Sequence, residues 1–262
     1  MDDDIILEAD TLRKEFGALI AVDDVSLQVR ANTFHSIIGP NGAGKTTFFN
    51  LLSGNIEPTS GRVIFKGRDI THLPVHRSIH LGIGRSFQIT NIFPNLTVLE
   101  NIRLASQALG GDNFRLFSHY RQFQQYEERA WEVIQLVGLT ERAAMLARTL
   151  PHGDQRKLEL GMILAPDPEL LLLDEPTAGM AAEQVPELIQ LIQKIQESGK
   201  KTVMLVEHNM NVVMSVSDYI TVMHQGQVLA EGRPAEIAAN QAVQSAYLGG
   251  LYGDLMGVRP EG

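Results

Sequence analysis

The sequence predicts an α/β protein with a parallel-sheet core, an N-terminal antiparallel β-subdomain and an inserted helical subdomain. Three observations predict it. The start of the chain alternates apolar and polar residues at strand spacing. Between about Asn95 and Thr149 apolar residues recur at helical spacing among many polar ones. Beyond that stretch, short apolar runs alternate with helix-patterned segments, the order that builds a parallel sheet.

In chain order, Ile5 and Leu7, then Leu19, Ala21 and Val22, then Val25, Leu27 and Val29 mark strands, and Phe34 to Ile38 is an apolar strand that runs into a glycine-rich turn. A helix follows that turn, and 54–61 is a Pro/Ser/Gly turn region before a strand at Arg62 to Phe65 that Gly67 ends. Val98, Ile102 and Leu104, and later Trp131, Ile134 and Val137, carry the helical pattern of the insert. Then come a helix near Gln155 to Ala165, a strand at Leu170 to Leu173, a helix at Gln184 to Gln196 and a strand at Thr202 to Val206. A helix at Met210 to Val216, a strand at Ile220 to Met223 and a hairpin through Gly226 to Gly232 complete the core, and Pro234 opens a last helix. The expected organisation is one domain over 1–262. Segments 1–87 and 156–232 form the α/β core with its β-subdomain, 88–155 the helical subdomain, and 233–262 a C-terminal helix and tail.

Bulk properties narrow the function. The 262 residues are 44% hydrophobic and 20% charged, as in an ordinary globular protein. A net charge of −9 gives no global positive field, so nucleic acid is not an expected partner. The absence of cysteine removes disulfides and thiolate metal sites. The opening MDDDIILEAD is acidic where a secretory signal is basic, and apolar runs such as Leu170 to Leu173 fall far short of the roughly 18 residues that span a bilayer. Any membrane connection is expected through a partner.

The stretch GPNGAGKTT comprises Gly39, Pro40, Asn41, Gly42, Ala43, Gly44, Lys45, Thr46 and Thr47, and fits G-x-x-x-x-G-K-[ST] between a strand and a helix. Glycines let the main chain approach an anion so that its N–H groups point at phosphate oxygens, and the positive end of the following helix adds to the attraction. Lys45 then reaches the outer phosphates and the Thr46 hydroxyl ligates Mg²⁺. The bland alternative is a glycine-rich turn with a solvated lysine. A nucleoside triphosphate is the expected ligand.

The run Leu170 to Leu173 ends in Asp174 and Glu175, and open α/β sheets place ligands at the carboxyl ends of their strands. Asp174 is expected to hold Mg²⁺ and Glu175 to orient or deprotonate the attacking water, while helix capping is the structural alternative for Asp174. His208 follows a second apolar strand and could contact the terminal phosphate; a solvated histidine is the alternative. Gln88, just before the texture turns helical, is placed to touch both a metal shell and a movable subdomain, or is a surface glutamine. Phe16 stacks on an adenine ring or belongs to the core.

Phe16, GPNGAGKTT, Gln88, LPHGDQRKLE at 150–159, LLLLDE at 170–175 and VEHN at 206–209, in this order, resemble the ATP-binding subunits of ABC transporters over almost the whole chain. Within that family RSFQITNIFPNLTVLENI, LPHGDQRKLELGMIL, DEPTAGM and AYLGG are most similar to the branched-chain or neutral amino-acid uptake branch, with urea-uptake subunits close by. The resemblance implies ATP and Mg²⁺ as ligands and a P-loop ATPase that works as a head-to-tail homodimer or heterodimer with a second ATPase subunit. It also implies two membrane-spanning permease subunits, an extracytoplasmic substrate-binding protein and a peripheral place on the cytoplasmic face of the membrane. Gln88 and the helical insert would transmit the motor's opening to the permeases. Rival readings are a soluble ABC protein acting on nucleic acid or ribosomes, and a nucleotide-binding regulator that does not hydrolyse.

The family signature LSGGQ, offered to the partner's site, falls on Leu150, Pro151, His152, Gly153 and Asp154, followed by Gln155. Pro151 lacks both the serine hydroxyl and a backbone N–H. Downstream, Ala181 stands where the family usually has Asp. The expectation is a chain whose own catalytic residues are intact but whose contribution across a dimer is weakened.

Overall fold

The computed structural model describes residues 4–85, 92–107, 120–199 and 201–247, without the side chains of 120–123. In chain order the first elements are β1 (Ile5–Phe16), β2 (Leu19–Arg30), β3 (Phe34–Ile38), α1 (Lys45–Leu52), β4 (Ser60–Phe65), β5 (Arg68–Asp69) and α2 (Val75–Ser78). Next come β6 (Ile83–Arg85), α3 (Val98–Gln107), α4 (Tyr120–Leu136), α5 (His152–Leu164), β7 (Leu170–Asp174) and α6 (Val185–Gly199). The last are β8 (Thr202–Val206), α7 (Met210–Val216), β9 (Tyr219–His224), β10 (Gln227–Gly232), α8 (Pro234–Ala239) and α9 (Gln241–Tyr247). Two compact units result, Met1–Pro74 with Thr202–Gly262, and Val75–Lys201.

In the first unit β2, β1, β4 and β5 make an antiparallel sheet in that order. One face of β2 buries Val25, Leu27 and Val29 while Ser26, Gln28 and Arg30 stay outside, the period-two pattern of a half-buried strand. The same unit holds β3 between β8 and β9, parallel to both, with β10 returning antiparallel on β9. Every residue of β3 and β8 is buried, as parallel strands covered on both faces require. Polar His35 is tolerated there because its Nε2 shares a 2.8 Å hydrogen bond with Thr221 Oγ1 and its ring stacks on Tyr219.

The β9–β10 hairpin turns on Gln225 and Gly226, both at positive φ, the backbone that two-residue hairpins need. Beyond it, Ile237 and Val243 close an apolar cluster with Ile38, Met210, Val213, Ile220 and Val222. Here the structure corrects the sequence reading. The helix opened by Pro234 ends at Ala239 and is not the last, because Asn240 Oδ1 accepts the N–H groups of Ala242 and Val243 and starts α9. Likewise α5 begins at His152, before the expected Gln155, since Pro151 supplies an extended residue directly ahead of it.

In the second unit β6 and β7 pair in parallel, and Val98 and Ile102 of α3 are buried with Val133 and Ile134 of α4, matching the helical spacing of the insert. A reciprocal cap starts α3: the Thr97 N–H donates to Glu100 Oε2 at 2.8 Å and the Glu100 N–H to Thr97 Oγ1 at 3.1 Å. Buried Asn101 accepts from the Phe93 N–H at 2.7 Å and donates to the Thr97 carbonyl at 2.8 Å, fixing the segment that leads into this helix.

Candidate active site

The first unit carries the phosphate loop. Strand β3 delivers the chain to Gly39, where a Cβ would lie 2.2 Å from the Met223 carbonyl oxygen, so only glycine passes between β3 and β9. At the far end Gly44, left-handed at φ 94, caps α1, and a Cβ there would lie 2.3 Å from the Ala21 carbonyl oxygen. Between them the Ala43 N–H donates to the Pro40 carbonyl at 3.2 Å, closing the turn. The loop is braced from outside as well. The Gly226 N–H donates to the Ala43 carbonyl at 3.0 Å, and the Gly226 carbonyl accepts from the Asp23 N–H at 2.9 Å.

Asn41 and Gly42 form the exposed tip, and Lys45 is buried, its Nζ donating to the carbonyls of Gly39 at 2.7 Å and Pro40 at 3.0 Å. The ammonium is thereby folded back along the loop, near the groups an anion would meet. Helix α1 has no acidic residue in its first turn, so the positive field of its N-terminus is not cancelled locally. Thr46 and Thr47 sit in that turn, half-buried.

His208 lies on the same strand edge. Ile37 and Val206 are paired in register across β3 and β8, and two residues further on each chain reaches Gly39 and His208 respectively. The His208 side chain is exposed, its backbone N–H donates to Oε2 of buried Glu207 at 3.1 Å, and Asn209 caps α7 behind it. Phe16, at the β1–β2 turn, is half exposed with Lys14 Nζ 5.2 Å from its ring centroid. That placement excludes the core reading and leaves a ring face available for stacking.

The second unit carries the acids. Asp174 ends β7, almost fully buried, and Glu175 follows at φ 47, a left-handed backbone that a non-glycine residue adopts only when held. The Ala178 N–H donates to the Glu175 carbonyl at 3.0 Å, turning the chain there. Arg85 on β6 is the charged neighbour of Asp174: burial pushes its guanidinium below the usual arginine range and the Asp174 carboxylate pulls it back. Nothing in the spacing of the sequence pointed to Arg85. Gln88 lies outside the described residues.

The signature segment is also in this unit. Pro151 is exposed and extended, directly ahead of α5. Asp154 and Gln155 donate their N–H groups to the Pro151 carbonyl, both at 3.0 Å, and Gln155 Nε2 reaches the Leu150 carbonyl at 3.0 Å. Gly153 is buried while His152 is exposed. The Asp154 carboxylate, in the first turn of α5, pairs with Arg142 and lies 3.8 Å from Lys157. Ala181 is exposed.

Threonine hydroxyl and carboxylate oxygens are donor types that Mg²⁺ prefers, and Thr46 in the first unit and Asp174 in the second each offer one. Among the described residues no helix is long and apolar enough to cross a membrane.

Comparison with known proteins identifies this set of parts. The ABC transporter family model matches residues 22–178, and a branched-chain amino acid ATP-binding cassette transporter model matches 227–251. The chain is 41% identical to the high-affinity branched-chain amino acid transport ATP-binding protein BraF of Pseudomonas aeruginosa over 93% of its length and 98% of the relative's. It is 37% identical to the corresponding protein LivG of Escherichia coli K12, with the same coverage. Among solved structures it matches a nucleotide-free ATP-binding cassette from an ABC transporter with a TM-score of 0.80 at 28% identity, covering 94% of this chain and 100% of the other. A cassette in its ADP conformation matches with a TM-score of 0.81 at 28% identity, covering 94% and 99%. The chain therefore belongs to the ABC transporter family, as one of its ATP-binding, ATP-hydrolysing subunits.

Proposed function

We propose that this chain is the motor of an importer for branched-chain amino acids, working on the cytoplasmic face of the membrane with a second ATPase subunit, two permease subunits and an extracytoplasmic binding protein. The observation that carries the reading is near full-length likeness to proteins named for branched-chain amino acid transport, together with the match of residues 227–251 to a model of that branch. The substrate itself is met by the other chains.

In this reading the main-chain amides of 39–47 and Lys45 grip the phosphates, and Phe16 stacks on the adenine. Glu175 directs water in line with the last phosphorus and His208 steadies the departing phosphoryl group. Mg²⁺, held by Thr46 and Asp174 with Gln88 nearby, would neutralise negative charge on the phosphate oxygens. Pro151, His152, Gly153, Asp154 and Gln155 face the second subunit's nucleotide. The two subunits close on ATP and part after hydrolysis, and the helical insert passes that motion to the permeases.

Affinity purification from membranes, followed by reconstitution in vesicles, tests the proposal. Two permeases and a receptor should co-elute, and leucine, isoleucine or valine with that receptor should stimulate ATP hydrolysis severalfold. Stimulation by urea alone, or preferential binding to RNA or DNA at physiological salt, would contradict it.

A further inference from the structure

Arg156 lies in α5, two residues after the segment that matches the family signature, with its side chain mostly buried. Its Nη2 donates to the Ala178 carbonyl at 3.1 Å and its Nη1 to Glu159 Oε2 at 2.7 Å. Ala178 is the residue whose N–H closes the turn onto the Glu175 carbonyl. The guanidinium thus ties the start of α5 to the turn that keeps Glu175 in its left-handed conformation.

Two further contacts hold the same pair of segments together. A Cβ on Gly179 would lie 3.6 Å from the His152 ring, and one on Gly153 would lie 3.1 Å from Gln184 Oε1. Arg156 and Glu159 also line a cavity shared with Asp174 and Pro176, the two neighbours of Glu175. Within the described residues Arg156 Nε and Glu159 Oε1 are buried without a hydrogen bond. A buried ion pair with unmatched polar atoms is costly compared with apolar side chains of similar size. Local costs of that kind are expected where function rather than stability sets the residue.

We infer that Arg156, held by Glu159, is a positioning residue for ATP hydrolysis: it ties the turn after Glu175 to the N-terminus of α5, so that the setting of the catalytic carboxylate depends on the position of the signature segment. The inference rests on the proposed role of Glu175. Its consequence is communication between two nucleotides. Glu175 acts on the ATP of its own subunit while the α5 N-terminus faces the ATP of the other, so release of the Arg156 contact perturbs both sites from one position.

The test uses the assembled transporter in vesicles, with Arg156→Gln, Arg156→Lys, Glu159→Gln and Glu175→Gln made in this subunit. Steady-state hydrolysis and binding of a fluorescent ATP analogue are both measured. Arg156→Gln should lower kcat about tenfold while KM and the nucleotide Kd stay within about twofold, because phosphate-loop contacts are untouched. Lysine should recover part of the rate by restoring a donor to the Ala178 carbonyl. Glu159→Gln, which leaves the guanidinium in place but removes its charged anchor, should give an intermediate rate and serves if Arg156→Gln does not assemble. An unchanged kcat in Arg156→Gln or, where that variant does not assemble, in Glu159→Gln overturns the inference, as does a parallel loss of kcat and nucleotide affinity with no recovery by lysine. Full turnover in Glu175→Gln would instead overturn the proposed role of Glu175, which separates the two failures.

Discussion

The phosphate loop and the signature segment are built on the same device, a helix N-terminus entered through a short turn, yet they present it differently. Helix α1 is capped by left-handed Gly44 and carries no acid in its first turn. Helix α5 is entered through Pro151 and carries Asp154 in its first turn, already paired with Arg142. The first leaves the partial positive charge of the helix for an incoming anion, whereas the first turn of the second is already occupied by a carboxylate in an ion pair. A helix dipole is only a prerequisite, and the cap and first-turn residues set how much of it is left for a ligand. On the proposed function the contrast also divides the chain by beneficiary, since the groups assigned to its own ATP are kept and those assigned to another subunit's are altered.

Four changes would break or sharpen that contrast. The largest effect is expected for Glu175→Gln, which removes the group proposed to direct water and should lower turnover about 10²–10⁴-fold with nucleotide still bound, as read by phosphate release and filter binding. Lys45→Ala should lower turnover about 10²–10³-fold and, unlike the first, weaken nucleotide binding too. An equal effect on binding from both substitutions would erase the division between gripping and catalytic groups.

Acid should loosen the loop-bearing unit through His35 on β3. Burial holds its imidazole down at about 4, from an ordinary 6.5. The unfolded chain takes up a proton as pH falls through the ordinary value while the folded chain does not, so this contribution is full above 6.5 and is lost between there and about 4. Urea unfolding at pH 7 and pH 5 should therefore differ by about 2 kcal/mol more in the wild type than in His35→Asn. Equal pH slopes would show that His35 is not buried neutral. The smallest effect is expected at the altered segment. Pro151→Ser returns a hydroxyl and an N–H donor, and should tighten ATP-dependent association with the second subunit by about tenfold in analytical ultracentrifugation, one charge-assisted hydrogen bond's worth. No gain would mean that Asp154, not Pro151, sets the weakness.

The readable part of the site was the part written locally. Nine consecutive residues specify a phosphate loop because main-chain geometry needs glycine at fixed places, and an apolar strand ending in Asp174 and Glu175 announces itself by its run of leucines. The half-exposed placement of Phe16 was not readable, since an aromatic at a strand end looks the same in either setting. Nor were the brace of Gly226 on Ala43, the charge of Arg85 beside Asp174 or the reach of Arg156 to Ala178. Each joins residues far apart in sequence, through backbone atoms or buried charges that leave no periodic trace. The division of the last helix depended on a single side chain, Asn240, bonding forward to the backbone.

The most direct measurement of the division is substitution of one catalytic glutamate at a time in the purified transporter. Glu175→Gln in this chain should remove most of the ATP turnover, because on the proposed function its site combines intact catalytic groups with the second subunit's signature. The corresponding change in the second subunit, whose ATP meets Pro151 and Asp154, should remove much less. Equal losses from the two substitutions would contradict the account.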